Sequence, residues 1–137
     1  MIQSKTDYYY YLEQDQKALG LTNMSFKNKI INFISPNYIW KFQKTLRKVE
    51  YYKNCKNKGL NKLYFNFLRY KFKSISIKLG FSIPPNVFGP GLSIAHYGTI
   101  VINSATKVGK NCRIHVCVNI GASGGEKEAP QIGDNVY

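Results

Sequence analysis

The chain has 137 residues, with 20 Lys and Arg against 7 Asp and Glu and a formal net charge of +13. That length holds one modest core or two small units and excludes two large independent domains. Hydrophobic residues at 44% and a mean hydropathy of −0.31 exclude an extensively disordered chain, and no stretch approaches the ~20 apolar residues of a spanning helix.

Cys55, Cys112 and Cys117 have no CxxC or other metal-ligand spacing, and an odd count without a leader-like start argues against a disulfide framework. The expectation is a metal-free protein of a reducing cytoplasm. Charge is unevenly placed. Residues 1–80 hold 16 basic against 4 acidic side chains, whereas residues 81–137 hold 4 against 3.

The first half reads as helical. A segment from Tyr8 to Leu19 follows Asp7, a candidate N-cap, and stops at Gly20. A second, from about Asn37 to Tyr52, follows Pro36 and spaces Ile39, Phe42, Leu46 and Val49 by three and four. A third runs from Leu60 to about Ile77, with Leu60, Leu63, Tyr64, Phe67, Leu68, Phe72 and Ile75 assigned to one face and Lys62, Arg69 and Lys73 to the other.

Gly80 and the Pro84–Pro85 pair end this pattern, because proline offers no amide donor and biases its predecessor toward extended backbone. The expected organisation is a basic α-helical region over 1–80 and a second unit over 81–137. In that unit the apolar period changes to six, with Ile102, Val108, Ile114 and Ile120 at strict intervals and Ile132 two intervals later. Gly109, Gly121 and Gly133 follow three of these aliphatics and are expected at tight corners. Ile94 and Ile100 keep the six-residue step in a frame displaced by two, which implies an irregularity at His96 to Thr99. A six-residue period suits neither an amphipathic helix nor a hairpin meander and predicts a three-faced solenoid of short strands and turns.

The stretch Ile94-Ala-His-Tyr-Gly-Thr-Ile-Val-Ile102, the repeats after it and the Gly-rich Ile120-Gly-Ala-Ser-Gly-Gly125 resemble the serine acetyltransferase-like group of hexapeptide-repeat acyltransferases, including those of capsular and exopolysaccharide synthesis. The resemblance covers about residues 81–137. It implies an α+β chain in which the helical region precedes a left-handed parallel β-helix. It also implies acetyl-CoA as co-substrate and a homotrimer that binds it between neighbouring subunits. Because Tyr137 falls within a hexapeptide after about three turns of the repeat, a fragment or truncated product is expected.

The implied chemistry is acetyl transfer from a thioester to a hydroxyl, which needs a base for the hydroxyl proton. His96 is the candidate, since imidazole titrates near neutrality. Gly121, Ala122, Gly124 and Gly125 are the expected cofactor-binding turn and a source of backbone donors for the oxyanion. Tyr97 and His115 are expected against the acceptor. The chain departs from the group's pattern at Ala95, Ser82 and Ala129, where acidic residues and a histidine are usual, so a glycan hydroxyl stands beside L-serine as acceptor.

Between Lys41 and Lys78 twelve basic residues face one acid, Glu50, among Tyr, Phe and Trp40. No helix-turn-helix, zinc or RNP-like signature accompanies them, so nucleic acid is not the expected partner. The expected use of this charge is to steer acidic substrates or to support trimer assembly, and peripheral association with an anionic inner-membrane surface stands beside it as the second use. The competing reading is a truncated, non-catalytic remnant serving as an assembly or membrane-surface module.

Overall fold

The computed structural model describes residues 1–22, 37–122 and 128–137. Three helices precede seven short strands among them. The first, α1 (Lys5–Ala18), starts three residues before the position expected from Asp7. Ser4 is its N-cap and accepts from the Asp7 amide at 3.0 Å, while the Asp7 carboxylate accepts from the Gln3 amide at 2.9 Å. This reciprocal pair satisfies two amides at the helix start, and the Gln3 bond is the largest influence lowering the Asp7 pKa.

Asn37 caps α2 (Tyr38–Cys55) by accepting from the Trp40 amide at 3.0 Å. Phe42, Leu46 and Val49 are buried as their spacing predicts. Beside them runs a second buried stripe that is polar: Gln43, Arg47 and Glu50. The third helix, α3 (Asn61–Leu79), is stopped by Gly80 in the left-handed region at φ +76°. A Cβ there would lie 3.0 Å from the Gly98 carbonyl, so this position requires glycine for both backbone and space. The single apolar face expected for α3 is divided: Leu68 and Ile75 are buried, whereas Leu60, Leu63 and Phe67 are exposed.

The strands are β1 (Phe81–Ser82), β2 (Ser93–Ile94), β3 (Ile100–Ile102), β4 (Lys107–Val108), β5 (Arg113–Ile114), β6 (Asn119–Ile120) and β7 (Gln131–Ile132). They form three sheets, β1-β3-β6, β2-β5 and β4-β7, and every pairing is parallel. Successive aliphatics at the six-residue spacing enter different sheets, so Ile102 pairs with Ile120 and Val108 with Ile132.

The left-handed parallel β-helix expected for 81–137 is corrected by this arrangement. Among the described residues the strands run for only two or three residues and belong to three separate small sheets, with no continuous solenoid, in an α+β architecture. Pairing is interrupted because the turns between strands leave extended geometry, with Asn111 at φ +54°, Cys117 at +64° and Gly98 at +140°. The frame displacement read around His96 to Thr99 falls between β2 and β3, where Gly98 lies.

The expected role of the periodic glycines also changes. Left-handed backbone in this region is carried by asparagine and cysteine as well as glycine, and Gly109 serves close packing instead. A Cβ on Gly109 would come within 2.7 Å of the Gly133 carbonyl carbon, and one on Gly89 equally close to that of Gly109. The missing side chains of Gly89 and Gly109 allow adjacent backbone segments to stack directly, whereas a Cβ on Gly133 would meet nothing within 4 Å.

One apolar cluster crosses position 80. Phe42, Leu46, Ile75 and Leu79 from the helices join Phe81, Ile83, Phe88, Leu92, Ile94, Ile100, Ile102, Val108 and Ile114. Arg47 ties the same layers together by polar bonds. Its Nε and Nη2 donate to the two Asp15 oxygens at 2.8 and 3.1 Å, and Nη1 donates to Glu50 at 3.0 Å. Nη1 and Nη2 also donate to the carbonyls of Phe88 and Gly89 at 2.9 and 2.7 Å.

Asp15 in turn accepts from the Gly91 and Leu92 amides, and Glu50 accepts from the Asn86 amide. Burial alone would lower the Arg47 pKa, but the Glu50 and Asp15 carboxylates overcome it and the net direction is upward. The 86–92 segment leading into β2 is thereby held against α1 and α2. That attachment fixes where β2, and the residues just beyond it, emerge.

Candidate functional site

Ile94 and Ile114 are register partners in the β2-β5 pair, and the Ala95 amide donates to the Ile114 carbonyl at 3.0 Å. The chain positions immediately beyond the two strands therefore lie side by side. His96 is exposed there and His115 is half-buried. Their ring centroids are 6.1 Å apart with planes inclined at 53°.

The row continues to Tyr137, whose ring centroid lies 5.7 Å from that of His115 at an interplanar angle of 60°. The Arg113 amide donates to the Val136 carbonyl at 2.9 Å, which brings the terminal residues against β5. The Arg113 guanidinium lies 5.4 Å from the Tyr137 ring centroid. Two imidazoles, a phenol and a guanidinium thus share one edge of the parallel pair. The arrangement offers proton acceptors, proton donors and one fixed positive charge to a ligand arriving from solvent.

The backbone around this edge is tightly specified. The Cys117 amide donates to the Thr99 carbonyl at 2.7 Å, and the Gly98 amide donates to the Leu79 carbonyl at 2.9 Å. A side chain at Gly98 would collide with Val116. The turn after His96 is therefore anchored both to the end of α3 and to the turn after His115.

Of the residues picked from sequence, His96 and His115 are brought together. Tyr97 is exposed on the turn beside them, while Gly121 and Ala122 follow β6 in another sheet. Gly124 and Gly125 lie outside the described residues. Arg113 and Tyr137 escaped the sequence reading. The repeat held a signal for them: once β5 is paired with β2, residues flanking Ile114 necessarily line the same edge as His96. Among the described residues there is no group of three or more His, Cys, Asp or Glu placed to hold a metal ion.

Compared with known protein families, curated proteins and solved structures, the chain matches none.

Proposed function

We propose that the protein is an acetyl-CoA-dependent O-acetyltransferase acting on a hydroxyl of L-serine or a glycan, with His96 as general base. The observation that carries this reading is the placement of His96 beside His115 on an open edge. With their rings side by side at a centroid spacing of 6.1 Å, both imidazoles are within reach of one acceptor hydroxyl arriving from solvent, so one can accept its proton while the other orients the oxygen.

In the proposed reaction the hydroxyl oxygen attacks the thioester carbonyl as its proton passes to His96. The resulting tetrahedral oxyanion collapses with cleavage of the carbon–sulfur bond, and the leaving thiolate recovers the proton from the imidazolium. The products are an O-acetyl ester and free CoA. Arg113, held against Tyr137, supplies positive charge beside this edge for an anionic co-substrate. Tyr97 and His115 are assigned to the acceptor, and Gly121 with its neighbours to the cofactor. A homotrimer in which neighbouring subunits complete the cofactor site belongs to the same proposal.

The test is to incubate the full chain with acetyl-CoA and candidate acceptors while following free thiol. Acceptor-dependent CoA release that falls on His96→Ala is expected. Full activity in that variant, or release indifferent to every hydroxyl acceptor, defeats the assignment.

A further inference from the structure

Helix α3 is apolar on two opposite sides. Phe65, Leu68, Phe72, Ile75 and Leu79 form the inner stripe, packed against α2 and the β region. Leu60, Leu63, Phe67, Tyr70 and Ile77 repeat at the same helical spacing on the other side, and retain 87, 71, 54, 74 and 71% of their full exposure. A stripe of five such residues is far more than the scattered apolar exposure ordinary on a protein surface.

Charge flanks this outer stripe on both edges. Lys62, Arg69 and Lys73 lie along one side, Lys71 and Lys78 along the other, and α3 contains no Asp or Glu. The Arg69 and Lys73 edge borders an open groove of about 960 Å³ between α3, the end of α2 and residues 81–85. Phe65, Phe72 and Phe81 line the groove, and Lys53 adds a third cation. No described helix is long and apolar enough to cross a membrane.

We propose that the outer face of α3 docks on an anionic phospholipid bilayer. The helix lies in the interfacial plane, with Leu60, Leu63, Phe67, Tyr70 and Ile77 entering the headgroup–acyl boundary. The flanking lysines and Arg69 meet lipid phosphates while their stems follow the apolar surface. The groove beside Arg69 and Lys73 accommodates part of a lipid at the same surface.

Charge and side-chain type together select this occupant. A second copy of the chain presenting the same face brings five more cations and no acid to it, so the pairing is repulsive. Nucleic acid would satisfy the cations and could stack on Phe67 and Tyr70, yet Leu60, Leu63 and Ile77, the larger part of the stripe, offer neither a stacking plane nor a base-edge hydrogen bond. A bilayer satisfies both halves of the surface.

Flotation of the full chain with vesicles tests this. Phosphatidylcholine vesicles are compared with equimolar phosphatidylcholine and phosphatidylglycerol, at low and high salt. The wild type is expected to float with the anionic vesicles, at least ~10-fold more than with neutral ones at low salt, and to lose much of that preference at high salt. Leu63→Asp with Phe67→Asp should abolish flotation with an unchanged circular dichroism spectrum, since both side chains are exposed. Lys71→Glu with Lys73→Glu should remove the anionic preference.

Failure of the wild type to float with anionic vesicles overturns the proposal, as does undiminished binding by the aspartate variant. Preferential capture of a single-stranded RNA probe, or a solution oligomer dispersed by Leu63→Asp with Phe67→Asp, would reassign the face. CoA release measured with soluble acceptors is independent of these outcomes.

Discussion

Arg47 and His96 sit at opposite extremes of the same molecule. Arg47 is fully buried and its three donor nitrogens are engaged by two carboxylates and two carbonyls, whereas His96 stands in solvent beside a second imidazole. A charge whose every donor is engaged inside the protein has nothing left for a ligand, and its effect is to hold elements together. An exposed imidazole is inexpensive to keep and free to exchange protons. The contrast separates a residue that builds the edge from one that the edge displays to solvent.

The sharpest way to break the comparison is Arg47→Ala, which leaves Asp15 and Glu50 buried without their cation. A loss of about 3–5 kcal/mol is expected in denaturant unfolding. A loss below ~1 kcal/mol would mean that water reaches the carboxylates and that this network is not the clamp described. His96→Ala should do the reverse: acetyl transfer falls by roughly 10²–10⁴-fold, with stability altered by no more than about 0.5 kcal/mol. Parallel loss of stability and activity would place His96 among the structural residues.

Gly80→Ala probes the junction between the helices and the strands, because it strains the left-handed cap of α3 and presses on Gly98 in the turn after His96. A cost of about 1–3 kcal/mol is expected in thermal or denaturant unfolding. The smallest effect concerns the thiols. Burial raises the pKa of Cys112, whereas Cys117 is exposed, so a thiol reagent near neutral pH should modify Cys117 first and Cys112 slowly. Equal rates in mass spectra of the native protein would show that the turn holding Cys112 opens readily.

How much of this could be read beforehand differs by residue. Ile102, Val108 and Ile114 were legible as inward aliphatics because a period of six survives in one dimension, and all three are buried. Gly20 and Gly80 were legible as helix ends because left-handed backbone has a strong residue preference. His96 could be singled out from its flanking motif. Its neighbour His115 could be named but not placed beside it, since their proximity arises from the pairing of Ile94 with Ile114.

Local pattern also misled in identifiable ways. Asp7 had the right chemistry for a cap, but Ser4 lies one turn earlier and takes that role while Asp7 completes the bond to Gln3. A regular six-residue period suggested a continuous solenoid, although pairing ends after two or three residues wherever a turn leaves extended geometry. On α3, Leu63 and Leu68 are equally apolar. Only the position of α2 and the β region decides which of them is covered.

The amino-acid order alone determined the change from helical to six-residue periodicity near Gly80, the concentration of positive charge before it and the identity of His96 as a candidate base. These depend on near neighbours and composition, which a linear sequence contains in full. Tertiary structure decided that Arg47 is buried with Asp15 and Glu50, that His115, Tyr137 and Arg113 share an edge with His96, and that α3 keeps a second apolar stripe in solvent. Each of these depends on which distant backbone segments approach one another, and that is set by the summed packing of the whole core.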